Sequence, residues 1–217
     1  MDRRGQLFLL PSKRTQVGPY TILGHLERYW RDLRGAKALP VRSAINPAQI
    51  DEALPYSFIS ERVSPRVGRF RVSGQAINRM LGCEARGTPV SLLFTPSAHP
   101  ALENHLEACL EGPSIVELPL RANRGLGRSA ITGRLLLLPL SNSNGAIDRI
   151  LGAILVDGKT DAARMRFDIP EDGSWRIESV KHSVFLPPQH QNQRKSTPET
   201  KGPERARPAL KLVVNNA

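Results

Sequence analysis

The stretch from Pro55 to Gly82 constrains the fold most tightly, because it predicts two strands, a tight turn and a short helix in direct succession. Strand-forming residues run from Phe58 to Val63, and the turn follows at residues 64–68. Phe70 and Val72 then alternate with polar residues, which is the pattern of a half-buried strand. Because an isolated two-stranded hairpin is only marginally stable, the rest of the chain must complete its sheet.

Apolar residues at helical spacing predict four helices along the chain. The first runs from Leu23 to a glycine cap at Gly35. The second is short and begins at Asn46, which can cap it, with Pro47 at its first position. The third covers Ala76–Gly82, and the fourth runs from Ser97 to Gly112.

Three strands are predicted after the last helix, at Ile115–Arg121, Ser129–Leu140 and Ile147–Val156. A glycine-rich turn joins the first two, and a turn with the hairpin-forming pair Asn-Gly joins the last two. Such short turns make the three strands an antiparallel meander. The order of two strands, helices and three strands therefore predicts an α+β fold, in which helices cover one face of a five-stranded antiparallel sheet.

The 217 residues suffice for one domain with flanking segments. Residues 1–20 lack periodicity and predict a flexible N-terminal segment, whereas residues 21–158 hold the domain with its N-terminal helix. Alternating apolar residues within 159–185 predict an accessory hairpin, and the polar, proline-rich residues 186–217 predict a disordered basic tail. No apolar run approaches the ~20 residues of a membrane-spanning helix, so we expect a cytoplasmic protein without membrane insertion.

The formal net charge of +11 favours non-specific contact with anions or nucleic acid, mainly through the basic tail. No zinc-finger or RNP-type motif accompanies this charge, so a nucleic-acid-associated protein is the alternative function rather than the leading one.

We expect no enzyme, because the sequence offers no nucleophile–base motif. Cys83 and Cys109 lack metal-ligand spacing and are expected to be buried structural thiols.

Several short motifs follow one another along the first part of the domain. They are Tyr29-Trp30, Leu33-Arg34-Gly35, Pro40, Arg42, Ile45, Pro47, Leu54-Pro55 and Phe70-Arg71-Val72 with Gly74. Between about Leu23 and Gly158 this set resembles the bacterial PAS_5 family of PAS domains. The resemblance implies a PAS-like sheet that encloses a small-molecule cavity, and a sensory or protein-interaction module in signal transduction. Ala36-Lys37 departs from the Gly-Arg that many relatives carry there.

In a PAS-like fold the cavity lies between the sheet and the helices. We expect its wall to include Phe70, Val72, Ile77, Met80, Leu102, His105 and Leu106. Either Leu135 and Leu137 or their neighbours Leu136 and Leu138 complete it, with Ile154 or Leu155. An aliphatic wall suits a small apolar ligand, and the alternative is that these side chains fill the space as core.

No cofactor is expected, although the resemblance leaves one alternative open. Haem-binding PAS domains ligate iron through a histidine on the long helix before the meander, and His105 occupies that helix here. The alternative is that His105 is a half-exposed histidine that binds no ligand.

We also expect a homodimer that pairs through the first helix and acts on a signalling protein of unknown identity. The helix carries Leu23, Leu26, Tyr29, Trp30 and Leu33, more apolar surface than an isolated N-terminal helix needs. A stripe that packs wholly on its own sheet would instead permit a monomer.

Overall fold

The computed structural model describes residues 19–36, 39–123, 129–157 and 164–180. The helices are α1 (Pro19–Arg34), α2 (Gln75–Leu81) and α3 (His99–Leu110). The strands are β1 (Ser57–Ser64), β2 (Val67–Ser73), β3 (Ser114–Ala122), β4 (Ile131–Ser141), β5 (Ile147–Val156) and β6 (Arg176–Ser179). The predicted tail of residues 186–217 and residues 1–18 of the predicted flexible segment lie outside the described residues.

All six strands form one antiparallel sheet in the order β2-β1-β5-β4-β3-β6. The N-terminal hairpin β1–β2 therefore joins the sheet beside β5, the last strand of the meander. This arrangement confirms the predicted α+β class and the five predicted strands. The second predicted helix is a short 3-10 turn, Pro47–Gln49, and Asn46 caps it by accepting a hydrogen bond from the Ala48 amide.

Apolar side chains cover both faces of the sheet and form two core clusters. The inner face packs against α2, α3 and the 3-10 turn Val90–Leu93. The outer face packs against α1, whose Trp30 is fully buried and donates its indole N–H to the Pro139 carbonyl at 2.9 Å. Helices α2 and α3 therefore cover one face of the sheet, as predicted, and the N-terminal helix α1 covers the other.

Most of the apolar stripe of α1 is buried within the chain, although Leu33 is only partly buried. Leu23, Leu26 and Trp30 are at most 4% exposed in the single chain. Tyr29 is half-buried, and its hydroxyl accepts a hydrogen bond from the Asn46 amide at 2.7 Å. A large unpartnered surface on this helix was the premise of the expected homodimer, and the structure does not supply it. The homodimer itself stays a prediction.

Residues 164–180 form no separate hairpin, so the prediction of an accessory hairpin is wrong for this part of the chain. The Phe167 amide donates to the Leu93 carbonyl, and the strand β6 pairs with β3. Phe167 is fully buried against Phe94, with ring centroids 6.4 Å apart. Burying a phenylalanine is worth roughly 1.5–3 kcal/mol, whereas an isolated hairpin is marginal, so both halves join the main domain.

A network of ion pairs ties α1 to the edge of the sheet. Arg176 on β6 binds Glu27 of α1 and also Glu117 of β3, at 3.2 Å. Arg31 of α1 binds Glu178 of β6 at 2.7 Å. Burial opposes ionisation of Glu27, but hydrogen bonds from Arg176 and Arg31 outweigh it and lower the pKa of this carboxyl. The network therefore stabilises the docked helix while Glu27 is ionised.

We expect Arg176→Gln to destabilise the protein by about 1–2 kcal/mol at pH 7, because Glu27 loses its main partner while remaining largely buried. The folded pKa of Glu27 lies below its ordinary value of 4.5, so its contribution is present above that value and fades as the pH falls through the folded value. The difference between wild type and variant should narrow below about pH 4. Urea unfolding between pH 3 and 8 measures it.

Arg28→Gln is the matched control, since Arg28 also lies on α1, is exposed and forms no ion pair with the other described residues. It removes the same charge and should leave the free energy of unfolding within ~0.5 kcal/mol of wild type. An equal loss in both variants, or a gap that stays constant with pH, would contradict the role assigned to the network.

The described residues are electrically balanced, with 16 basic and 16 acidic side chains, and every basic one is an arginine. The remaining 15 basic and 4 acidic residues, including all seven lysines, lie outside the described ranges and account for the net charge of +11. None of the described helices is both long and apolar enough to cross a bilayer.

Candidate functional site

Five of the predicted lining residues come together on the inner face of the sheet. Phe70, Ile77, Met80, Leu102 and Leu106 belong to one core cluster and are at most 3% exposed. The ring of Phe70 also meets Phe58 edge to face, with centroids 5.1 Å apart. Between the sheet, α2 and α3 the predicted wall is therefore part of a buried apolar cluster.

The structure also settles the register that the sequence left open. Leu135, Leu137 and Ile154 face the inner cluster. Leu136, Leu138 and Leu155 belong to the outer cluster beneath α1. Both alternatives are fully or nearly fully buried, because the two faces of the sheet are both covered.

Val72 does not line the inner space, so its predicted position is wrong. Ile59 pairs with Val72, whereas the next residue of β1, Ser60, pairs with Phe70. Arg71 is thus the extra residue of a β-bulge, and a bulge reverses the alternation of side chains beyond it. Val72 consequently lies on the outer face and is 51% exposed.

His105 is on α3 as predicted but does not join the inner cluster. Its half-buried ring lies 6.5 Å from the ring of Trp175, near the β6 edge. Burial lowers the pKa of this imidazole. The haem alternative requires a histidine that points into the inner space, and the ring of His105 instead meets Trp175.

The inner face carries one polar atom that the sequence did not single out. Ser60 is 1% exposed, and its Oγ has no hydrogen-bond partner among the described residues. Gly68 on the neighbouring strand faces this hydroxyl: a Cβ added at Gly68 would lie 3.5 Å from the Ser60 Oγ. Burying a hydroxyl without a hydrogen-bond partner lowers the folding stability by roughly 1–3 kcal/mol, so Ser60 destabilises the inner core locally.

The outer face bears a groove of about 650 Å³ that sequence reasoning missed. We call it the outer groove; it lies between β1, β2 and the segment 42–55. Its lining comprises Arg42, Ile45, Pro47, Ile50, Leu54, Pro55, Ser57, Phe58, Ile59, Val72, Ser73, Gly74, Gln75 and Leu151. Ile59 and Leu151 are nearly buried in the sheet, whereas Leu54 and Val72 are exposed. The groove is therefore open and predominantly aliphatic.

Local hydrogen bonds hold the segment that walls this groove. The Asn46 amide donates to the Tyr29 hydroxyl and so fixes the first half of the segment to α1, while the cap from Asn46 to the Ala48 amide holds the segment itself. The Ser57 hydroxyl donates to the Ala53 carbonyl at 2.8 Å and fixes its second half to β1. The wall thus depends on the packing of α1 as well as on the sheet.

Arg42 is the charged residue in this lining. It is exposed, and its guanidinium makes no hydrogen bond or ion pair with the other described residues. Arg62 and Arg149, by contrast, are paired with Glu111 and Glu61. Arg42 therefore offers the groove an uncommitted positive charge.

The residues that carry the family resemblance converge on the outer groove. Seven of them line it: Arg42, Ile45, Pro47, Leu54, Pro55, Val72 and Gly74. They come from two separate parts of the chain, the wall segment and the β2–α2 junction. The motifs can thus be recognised in the sequence, whereas the tertiary structure is needed to see that they line the same groove.

Comparison with known proteins gives similar structures at low identity. One is the LOV protein of Rhodobacter sphaeroides, with 15% identity, a TM-score of 0.38, and coverage of 54% of this chain and 71% of that chain. Another is an RNA-binding light-oxygen-voltage receptor, with 18% identity, a TM-score of 0.36, and coverage of 54% of this chain and 35% of that one.

A third similar structure is the Vibrio cholera VqmA–ligand–DNA complex, with 15% identity, a TM-score of 0.33 and coverage of 52% of each chain. The comparison with curated proteins found no match. The model of the PAS domain family PAS_5 matches residues 18–155, well over half of the sequence. The chain therefore belongs to the PAS_5 family of PAS domains.

Proposed function

We propose that this protein is a non-catalytic sensory or protein-interaction module of cytoplasmic signal transduction, and that it recognises its signal at the outer groove. PAS domains are typical of sensory and signalling modules. The observation that carries the proposal is the outer groove itself, which is open, predominantly aliphatic and of ligand size, whereas the predicted lining residues of the inner face are buried in a core cluster.

The alternative of a nucleic-acid-associated protein depends on segments outside the described domain. The described residues carry no net charge, so their total charge gives no general attraction to a polyanion. The whole excess of +11 lies in the other segments, where non-specific anion contact stays a prediction. We therefore keep signalling as the leading function of the domain.

A photo-cross-linking amino acid placed at position 72 tests whether the groove is used. Introduced in the cells that naturally produce the protein, it should give a discrete adduct, visible by mass spectrometry, because Val72 lies on the groove rim. Position 63 is the matched control, since Val63 is also a strand valine and is 46% exposed, but does not line the groove. No adduct at position 72, or identical adducts at both positions, would overturn recognition at the groove.

A further inference from the structure

The outer groove has the size and lining of a small-molecule site. Its volume of about 650 Å³ falls within the roughly 300–1,000 Å³ of typical ligand pockets. Ile59 and Leu151 form an apolar floor, and Leu54 and Val72 form raised sides. Such a surface favours a ligand whose larger part is apolar, because burying that part releases water from both surfaces.

The charge of the lining selects the polar end of that ligand. Arg42 has no ionic partner among the described residues, and no Asp or Glu is among the described residues of the lining, so a cationic ligand would meet only repulsion from them. A guanidinium binds a carboxylate through two parallel hydrogen bonds. One positive charge also matches a singly charged carboxylate better than a doubly charged phosphate ester.

We propose that the outer groove binds a small amphipathic carboxylate, with its carboxylate on Arg42 and its apolar part against Ile59, Val72 and Leu151. This inference rests on the proposed function, since it names the ligand class of the same groove. The shape of Arg42 supports it, because a long exposed side chain at the rim can reach a head group while the floor stays dry.

Decanoate is the probe, titrated below its micelle concentration into the purified full chain and followed by isothermal calorimetry and two-dimensional NMR. We expect saturable binding, with the largest chemical-shift changes at Ile59, Val72 and Gly74. The neutral analogue 1-decanol should bind more weakly, and decylammonium should not bind. Absence of saturable decanoate binding, or decylammonium binding of equal strength, would overturn the carboxylate assignment.

Two substitutions separate the head group from the tail. Arg42→Gln should weaken decanoate binding about 10-fold and leave 1-decanol binding unchanged, because only the charge-assisted contact is lost. Val72→Asp should weaken the binding of both probes. Arg66→Gln is the control, since Arg66 lies at the remote β1–β2 turn and should not change either affinity. Equal effects of Arg42→Gln on both probes would refute the contact.

The experiment also distinguishes other occupants of the groove. Amide hydrogen exchange of the full chain at two protein concentrations detects a second copy that covers it. Protection around Val72 that rises with protein concentration and excludes decanoate would overturn the small-molecule proposal. A specific adduct from position 72 without decanoate binding would leave the proposed function intact and refute only this ligand class.

Discussion

Gly74→Ala should destabilise the protein by about 3 kcal/mol or more, because the new methyl group has no space. A Cβ at this position would lie 2.2 Å from the Pro55 carbonyl oxygen and 2.3 Å from that of Leu54. These are backbone atoms, so the clash cannot be relieved by rotating a side chain. The Gly74 amide also donates to the Ser57 carbonyl at 2.8 Å, which prevents Gly74 from moving away. Urea unfolding followed by circular dichroism measures the loss.

The same substitution should deform the outer groove, because Leu54, Pro55 and Gly74 all line it. Gly24→Ala is the matched control: nothing lies within 4 Å of the added Cβ, and Gly24 lies inside α1. Alanine is the better helix former there and should stabilise the protein by about 0.5–1 kcal/mol. If Gly74→Ala is as stable as wild type, the close approach of the β2–α2 junction to the wall segment is incorrect.

Leu106→Trp should cost about 1–3 kcal/mol or more, because we expect the inner side chains to fill their space as core and the larger indole to overpack it. Leu106 is 3% exposed and shares its cluster with Phe70, Met80 and Leu102. Leu106→Met, which nearly conserves volume, should cost less than about 1.5 kcal/mol. Thermal and urea unfolding of the two variants give the comparison.

The outcome decides between the two faces of the sheet. If tryptophan at position 106 costs less than about 1 kcal/mol, the inner space has unfilled volume, and a ligand between the sheet and α3 becomes the better hypothesis. A severe loss supports the filled core and leaves the outer groove as the open site.

The sequence predicts the elements well because their signals are local. The stripe of Leu23, Leu26 and Trp30 repeats at helical spacing, and all three side chains are buried. The Asn-Gly turn before β5 and the cap at Asn46 are set by backbone preferences over a few residues. Such signals locate helices and strands without reference to the rest of the chain.

Side-chain direction was harder to predict, for two physical reasons. In β4 the run from Leu135 to Leu138 is apolar on both faces, so no alternation reveals which residues face α3. In β2 the bulge at Arg71 reverses the side of Val72, and no residue type there marks a bulge. Both outcomes depend on pairing with strands distant in sequence.

The outer groove lay beyond sequence reasoning because its walls come from separate parts of the chain. Arg42 and Leu54 stand on the wall segment, Val72 and Gly74 on the β2–α2 junction, and Leu151 on the central strand β5. Each residue has an ordinary role when considered alone. Their convergence follows from the pairing of β1 with both β2 and β5.

The separation of arginine from lysine along the chain has a consequence for chemical modification. Each intramolecular ion pair of Arg31, Arg134 and Arg176 uses a guanidinium, which acetyl-transfer chemistry does not reach at neutral pH. Acetylation of the seven lysines would remove up to seven positive charges from the chain without breaking any ion pair among the described residues. The net charge of this protein can thus be changed while the ion pairs among its described residues stay intact.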